Sequence, residues 1–212
     1  MDKEHVKIAL DELKKHPKRK FSQSYDLVIN LKNINIKTNP LDFFVTLPHS
    51  KGKKVQLACF CDQQLAENAA KNSDLVIKEV EFDRYKEKKL LKQTAENYDY
   101  FIAQANLMPK IAQIFGKALG VKGKMPNPKL GCVVPPNANL EPLKKRLLVT
   151  IRLSTKKGTN LQCIVGKEDQ NEQEVIENIL AVYQATVKQI PNEQHNIKNV
   201  ALKLTMSKPV KI

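Results

Sequence analysis

Val55-Gln56-Leu57-Ala58-Cys59-Phe60, Asp74-Leu75-Val76-Ile77 and Tyr98-Asp99-Tyr100-Phe101-Ile102-Ala103 are three short apolar runs, and what separates them decides the fold. Helical patterns near 63–72, 83–97 and 106–115 follow them in turn. Parallel strands cannot be joined by a tight turn; each connection needs a crossover, usually a helix. Strand and helix alternating at this spacing therefore describe a parallel sheet covered by helices. We read this part of the chain as a small, doubly wound α/β domain.

The grammar differs on either side. Residues 2–15 carry Val6, Ala9, Leu10 and Leu13 on one helical stripe. A basic stretch, Lys14-Lys15-His16-Pro17-Lys18-Arg19-Lys20, follows. Tyr25-Asp26-Leu27-Val28-Ile29-Asn30-Leu31 then alternates as a half-buried strand does. Further strands are expected near 43–47 and 54–60, joined by Pro48-His49-Ser50-Lys51-Gly52. Past residue 148 this style returns: strands near 148–154 and 160–165, a helix near 171–189 and a strand at 198–205. Asp169 and Asn171 are candidate caps of that helix, and Glu172 and Glu174 suit its positive end. The changes of style place the α/β segment at 61–147, between 1–60 and 148–212.

Residues 116–142 break the periodicity. Four of the seven glycines (Gly116, Gly120, Gly123, Gly131) and five of the eleven prolines fall there, which marks a long loop with special backbone conformations. A short helix near 139–146 closes it, with Pro142 at an early, tolerated position. The loop from Gly116 to Gly131 also holds four lysines and no acid. It fails the nucleotide phosphate-loop pattern twice: Ala118 stands where the first glycine belongs, and Met125 where a Ser or Thr would ligate magnesium. Its glycines do not follow a strand as a dinucleotide fingerprint requires. A lysine-rich loop lying on a phosphate backbone fits better, beside the plain reading of a solvated loop.

The 212 residues carry 36 Lys plus Arg against 22 Asp plus Glu, a net +14. The excess is +6 over residues 1–60, +5 over 61–147 and +3 over 148–212, so it is not a detachable basic arm. Such a spread favours a polyanionic partner, because each neutralised phosphate releases counterions; lysine kept for solubility is the plainer account. No apolar run approaches a membrane span, and the charged Met1–His5 start does not resemble a secretory signal, so a soluble, cytoplasmic protein is expected. Cys59, Cys61, Cys132 and Cys163 form no C-x-x-C pair, and the four histidines are scattered, so metal or redox chemistry is not expected. Asp26 and His49 could pair in space for acid–base work, but such a pair is more often structural. No G-x-S-x-G nucleophile elbow is present.

Five motifs, in order, resemble those of the ribosomal protein L-one family of the mobile large-subunit stalk. They are Phe21-Ser22-Gln23-Ser24-Tyr25-Asp26, Leu47-Pro48-His49-Ser50-Lys51-Gly52-Lys53, Gly120-Val121-Lys122-Gly123-Lys124-Met125-Pro126-Asn127-Pro128-Lys129-Leu130-Gly131, Val165-Gly166-Lys167 and Thr205-Met206-Ser207-Lys208-Pro209-Val210. Length and the Lys-Met-Pro form are similar to the archaeal branch. Ser50 and Ser207 stand where the family usually has Gly, and Val121-Lys122 where Pro-Arg is common.

The resemblance implies an α+β and α/β protein of two domains. Residues 1–60 and 148–212 would co-fold as a split α+β RNA-binding domain, with 61–147 inserted as the Rossmann-like one. It implies an RNA site joining Phe21 and Asp26 to Thr205, Met206 and Ser207, with Lys20, Gly166 and Lys167 nearby. Secondary RNA contacts would come from Lys122, Lys124 and Lys129. The implied partners are large-subunit rRNA, other ribosomal components, exit-site tRNA and the protein's own mRNA, without membrane, cofactor, metal or catalytic residues. The rival class is a nucleotide-dependent enzyme using the central α/β domain.

Overall fold

The computed structural model describes residues 2–17, 19–35, 40–155, 158–191 and 193–212. Lys18, within the basic stretch, lies outside the described residues. In chain order the elements are α1 (Lys3–Lys14), β1 (Ser24–Leu31), β2 (Asp42–Thr46), β3 (Leu57–Cys61), α2 (Ala66–Asn72) and β4 (Leu75–Lys78). A 3₁₀ segment, Glu79–Lys86, leads to α3 (Lys88–Asn97), β5 (Tyr100–Gln104), α4 (Met108–Lys122), β6 (Val133–Val134) and α5 (Glu141–Val149). The chain closes with β7 (Thr150–Ser154), β8 (Asn160–Lys167), α6 (Glu172–Gln189), β9 (Ile197–Leu204) and β10 (Val210–Lys211). Two compact units result: Met1–Lys53 with Val149–Ile212, and Lys54–Leu148.

The first unit holds an antiparallel sheet in the order β10-β9-β1-β8, and the two-stranded pair β2-β7. β1 is central and alternates perfectly between half-buried and buried positions. Its inward residues Leu27 and Ile29 are at most 1 % exposed and meet Leu161, Val165 and Leu202 in one core. α1 adds Val6, Leu10 and Leu13, and α6 adds Val175, Ile179 and Val182. Each such fully buried side chain contributes about 1.5–3 kcal/mol relative to exposure. Asn171 caps α6, its side chain accepting the Gln173 N–H at 3.1 Å; of the two candidate caps, this is the one used.

The second unit holds a parallel sheet in the order β4-β3-β5-β6. β3 pairs with β4 and β5, so residues 54–60 belong with this unit, whereas the sequence grammar grouped them with the first sixty. One face of the sheet buries Phe60 and Phe101, stacked at 5.7 Å, under Phe115 of α4 and Phe82 of the 3₁₀ segment. The helix expected over 83–97 is split because Phe82 tucks edge-on against Phe60 at 5.9 Å. The chain then passes through extended Glu87 before α3 begins.

The largest departure from the sequence reading is α4. It continues through Gly116 and Gly120 to Lys122, where a loop was expected from residue 116. Ile111, Phe115 and Leu119, spaced i, i+4 and i+8, are at most 1 % exposed and hold the helix to the sheet. Their burial outweighs the cost of two helical glycines, about 1 kcal/mol each. The helix stops at Gly123, whose φ of 65° closes a left-handed cap with Lys124 N–H on the Leu119 carbonyl at 2.8 Å. An added Cβ at Gly116 or Gly120 meets nothing within 4 Å. Gly116→Ala should therefore raise stability by about 0.5–1 kcal/mol, read as an upward shift of the urea midpoint. A lowered midpoint would refute this account of the helix.

Candidate nucleic-acid interface

β1 starts where β8 and β9 end. Ser24 pairs with Lys167, and Tyr25 with both Gly166 and Leu204, next to a register shift between Tyr25 and Asp26. Three chain segments leave this end of the sheet: Lys20–Gln23 before β1, Glu168–Gln170 after β8 and Thr205–Lys208 after β9. All eight residues expected at the primary RNA site lie on these strand ends or segments. A β-bulge at such a place is a common way to re-aim side chains beside a functional surface.

Side chains extend the sheet past its last backbone pairs. The Thr205 hydroxyl accepts the Ser24 N–H at 3.1 Å and faces the Ser24 carbonyl at 3.5 Å. With one donor and two lone pairs, it keeps one accepting position for an outside group. The Ser207 hydroxyl accepts the Leu204 N–H at 2.8 Å and donates to the Lys208 carbonyl at 3.0 Å, closing the turn after β9. Ser207 has no positive φ, so serine in place of the usual glycine costs no backbone strain here. Gln23, which the sequence reading passed over, is 3 % exposed and bonded to both other segments.

The surface this end presents is mixed. Phe21 is 52 % and Met206 61 % exposed, and Lys20 and Thr205 are exposed with them. Asp26 is half-buried on the outward face of β1, opposite Lys203. Burial raises its carboxyl above the ordinary value, and the Lys203 charge partly offsets this. Gly166, by contrast, is buried, and a Cβ there would lie 2.8 Å from Val175 Cγ2 of α6. Its smallness serves internal packing.

Beside this patch, the Leu47–Lys53 turn is pinned from two sides. The Gln170 side chain accepts the Lys167 N–H at 2.8 Å and donates to the Ser50 carbonyl at 2.8 Å. Asn178 of α6, fully buried, accepts the His49 N–H at 3.0 Å and donates to the Val165 carbonyl at 2.8 Å. Gly52 supplies the left-handed residue, with φ 72°, and a Cβ on it would meet the Lys167 stem at 2.9 Å. Ser50 has no such requirement. His49 Nε2 lies 2.7 Å from Glu177 Oε2, so its partner is Glu177 and not Asp26.

The secondary lysines differ among themselves. Lys124 directs its ammonium at the carbonyls of Ala95, Glu96 and Tyr98, at 2.9, 3.4 and 2.6 Å, capping the C-terminal end of α3. An ammonium has three N–H donors, so it can act on a phosphate through its charge alone. Lys122 pairs with Glu96 at 3.0 Å, and Lys129 is exposed.

In a parallel sheet of this kind, ligands bind beyond the strand C-termini where the strand order reverses, here between β3 and β5. Asp62 fills that place. Its carboxylate accepts from Gln104 Nε2 at 2.7 Å and from the Gln64 and Leu65 N–H groups at 2.9 and 3.2 Å. The Gln104 bond, with those backbone donors, holds its carboxyl below the usual range. A fixed negative charge there opposes a nucleotide phosphate, and the Gly-Lys loop leaves α4 at the other end of the strands.

The remaining chemistry is quiet. All four cysteines are buried and outside any disulfide; burial pushes Cys132 up to about 11 and, with a smaller contribution from Asp26, Cys163 up to about 12. Among the described residues no three His, Cys, Asp or Glu gather as metal ligands would, and no helix is long and apolar enough to cross a membrane.

The first unit of this two-unit chain thus gathers basic, hydroxyl and exposed apolar residues at one sheet end. Residues 13–208 match the Ribosomal protein L1p/L10e family, and the chain belongs to it. It is 36 % identical to the large ribosomal subunit protein uL1 of Methanothermococcus thermolithotrophicus, covering 100 % of this chain and 99 % of that one. The uL1 protein of Nanoarchaeum equitans is 34 % identical over 97 % of this chain and 99 % of its own. That of Pyrococcus abyssi is 36 % identical, with 100 % and 96 % covered.

The capping geometry makes a prediction for Lys124. Lys124→Met, which keeps the stem and removes the ammonium, should cost about 1–2 kcal/mol of stability. A thermal or urea midpoint equal to that of the unaltered protein would remove Lys124 from the α3 cap.

Proposed function

We propose that this chain is a structural protein of the large ribosomal subunit that binds large-subunit rRNA through the β1–β8–β9 end of its first unit. Its relatives are named as ribosomal proteins, not enzymes, which fits the acidic residue at the nucleotide position of the parallel sheet. The observation that carries the reading is the convergence of Lys20–Gln23, Gly166–Gln170 and Thr205–Ser207, with Phe21 and Met206 left exposed among them.

The chemistry suits folded RNA, which is recognised through shape, backbone and 2′-hydroxyls. Thr205 offers its remaining lone pair to a ribose hydroxyl. Phe21 and Met206 supply apolar surface that excludes water around that bond. Lys20, Lys167 and Lys203 place positive charge nearby, and half-buried Asp26 orients Lys203 or accepts from a ribose. Lys122, Lys124 and Lys129 act as secondary, mainly electrostatic contacts. Following the family resemblance, the protein forms the mobile stalk near the tRNA exit site, assists release of deacylated tRNA and represses translation by binding its own mRNA. It works in the cytoplasm, on the ribosome.

Affinity for a large-subunit stalk RNA and for a scrambled duplex, across several salt concentrations, tests the reading. The stalk RNA should bind more tightly throughout; equal affinity for both, or specific nucleotide turnover, overturns it. Thr205→Val should weaken stalk-RNA binding by about 1–3 kcal/mol with nearly the same salt slope. Thr205→Ser, which keeps the hydroxyl, should bind like the unaltered protein. If both variants bind equally well, Thr205 is not part of the interface.

A further inference from the structure

Gln23 lies one residue before β1, beyond the last pair of its ladder, yet it is nearly as buried as the core. Its side-chain oxygen accepts the Met206 N–H at 3.1 Å. Its carbonyl accepts the Glu168 N–H at 2.9 Å, and its own N–H points to the Glu168 carboxylate at 3.4 Å. One residue therefore joins the segment before β1 to the segments after β8 and after β9. The Met206 amide lies past the end of β9, where no strand can receive it. Besides the Ser207 N–H on the Leu204 carbonyl at 3.2 Å and the Thr205 and Ser207 hydroxyls, Gln23 is the group that ties that turn to the segment before β1 at Met206.

Met206 is flexible, with three rotatable bonds, and a mobile turn carrying it would lose much entropy on binding RNA. Fixing the turn beforehand removes part of that loss. Such a gain appears in dissociation, and not in the charge-driven encounter.

Resting on the reading of this sheet end as the RNA surface, we infer that Gln23 is its positioning residue. It touches no RNA; it presents Met206, and through its own backbone the neighbouring Phe21, in binding-ready positions. Gln23→Met keeps the side-chain length and removes the acceptor.

The experiment uses the full chain, the stalk RNA and a scrambled duplex, with hydrogen exchange at the Met206 amide. Gln23→Met should speed that exchange and raise the stalk-RNA dissociation rate about 5- to 20-fold. Association rate, salt slope and scrambled-duplex affinity should change less than about twofold. In a Met206→Ala background, Gln23→Met should have little further effect, because its action runs through that side chain. If Gln23→Met lowers the unfolding midpoint, Gln23→Asn, whose shorter arm withdraws the acceptor, is measured under the same criteria.

Unchanged dissociation in spite of faster Met206 exchange overturns the inference, as does full additivity with Met206→Ala. An unaltered protein with no preference for stalk RNA overturns the functional reading itself. The two failures are thus told apart.

Discussion

β1 hydrogen-bonds to β8 on one side and to β9 on the other, so one short strand from the start of the chain carries two long ladders to its end. Its inward residues, Tyr25, Leu27, Ile29 and Leu31, are all buried. Because side chains alternate faces, a slip of one residue would turn this set to solvent and bring Asp26 and Asn30 inward. The hydrophobic core thereby fixes register, and register fixes what meets at the strand ends. The 3.1 Å bond between Ser24 and Thr205, 181 residues apart, follows from the burial of Leu27 and Ile29. The candidate interface inherits its geometry from the core.

Much of this architecture was legible locally. The period-two pattern of Tyr25–Leu31, the stripe Val6, Ala9, Leu10 and Leu13, and the strand–helix alternation after residue 55 each report a face that must be buried, and the structure buries them. Pairing between distant segments leaves no local signature, and only the family resemblance indicated it. α4 was misread because glycine propensity is a local quantity, whereas Ile111, Phe115 and Leu119 are held by a sheet that pattern alone does not supply. At the candidate site, the exposed positions of Phe21 and Met206 could be expected from motif likeness. The part played by Gln23 could not: a glutamine before a strand reads as solvent-facing until the turn it holds is in place.

The glycines and serines of the motifs make the same separation between form and contact. Gly52 and Gly166 are required from within, one by its positive φ and the nearby Lys167 stem, the other by Val175. Ser50 and Ser207 have no such demand, and their hydroxyls join the turns they occupy: Ser50 accepts the Gly52 N–H at 3.2 Å, and Ser207 the Leu204 N–H at 2.8 Å. A hydroxyl that closes a turn offsets the backbone freedom a glycine would bring. Substitution at these two positions therefore preserves the frame around Lys167 and Met206.

Charge and geometry have separate parts in this molecule. Pairing Lys14 with Glu172, Lys122 with Glu96, Lys145 with Glu141 and Arg152 with Asp42 removes one charge of each sign every time, so the net +14 is untouched. What pairing changes is where the excess resides. Lys124 is turned to helix carbonyls while Lys129 faces solvent, so lysines of a single loop differ in what they can reach. The excess acts as a field over a Debye length of about 8 Å in physiological salt, and it attracts any phosphate backbone alike. Discrimination between RNAs must then reside where direction and shape matter. On the proposed reading, that place in the first unit is the lone pair left on Thr205, with Phe21 and Met206 exposed on the segments that β1's register brings to this sheet end.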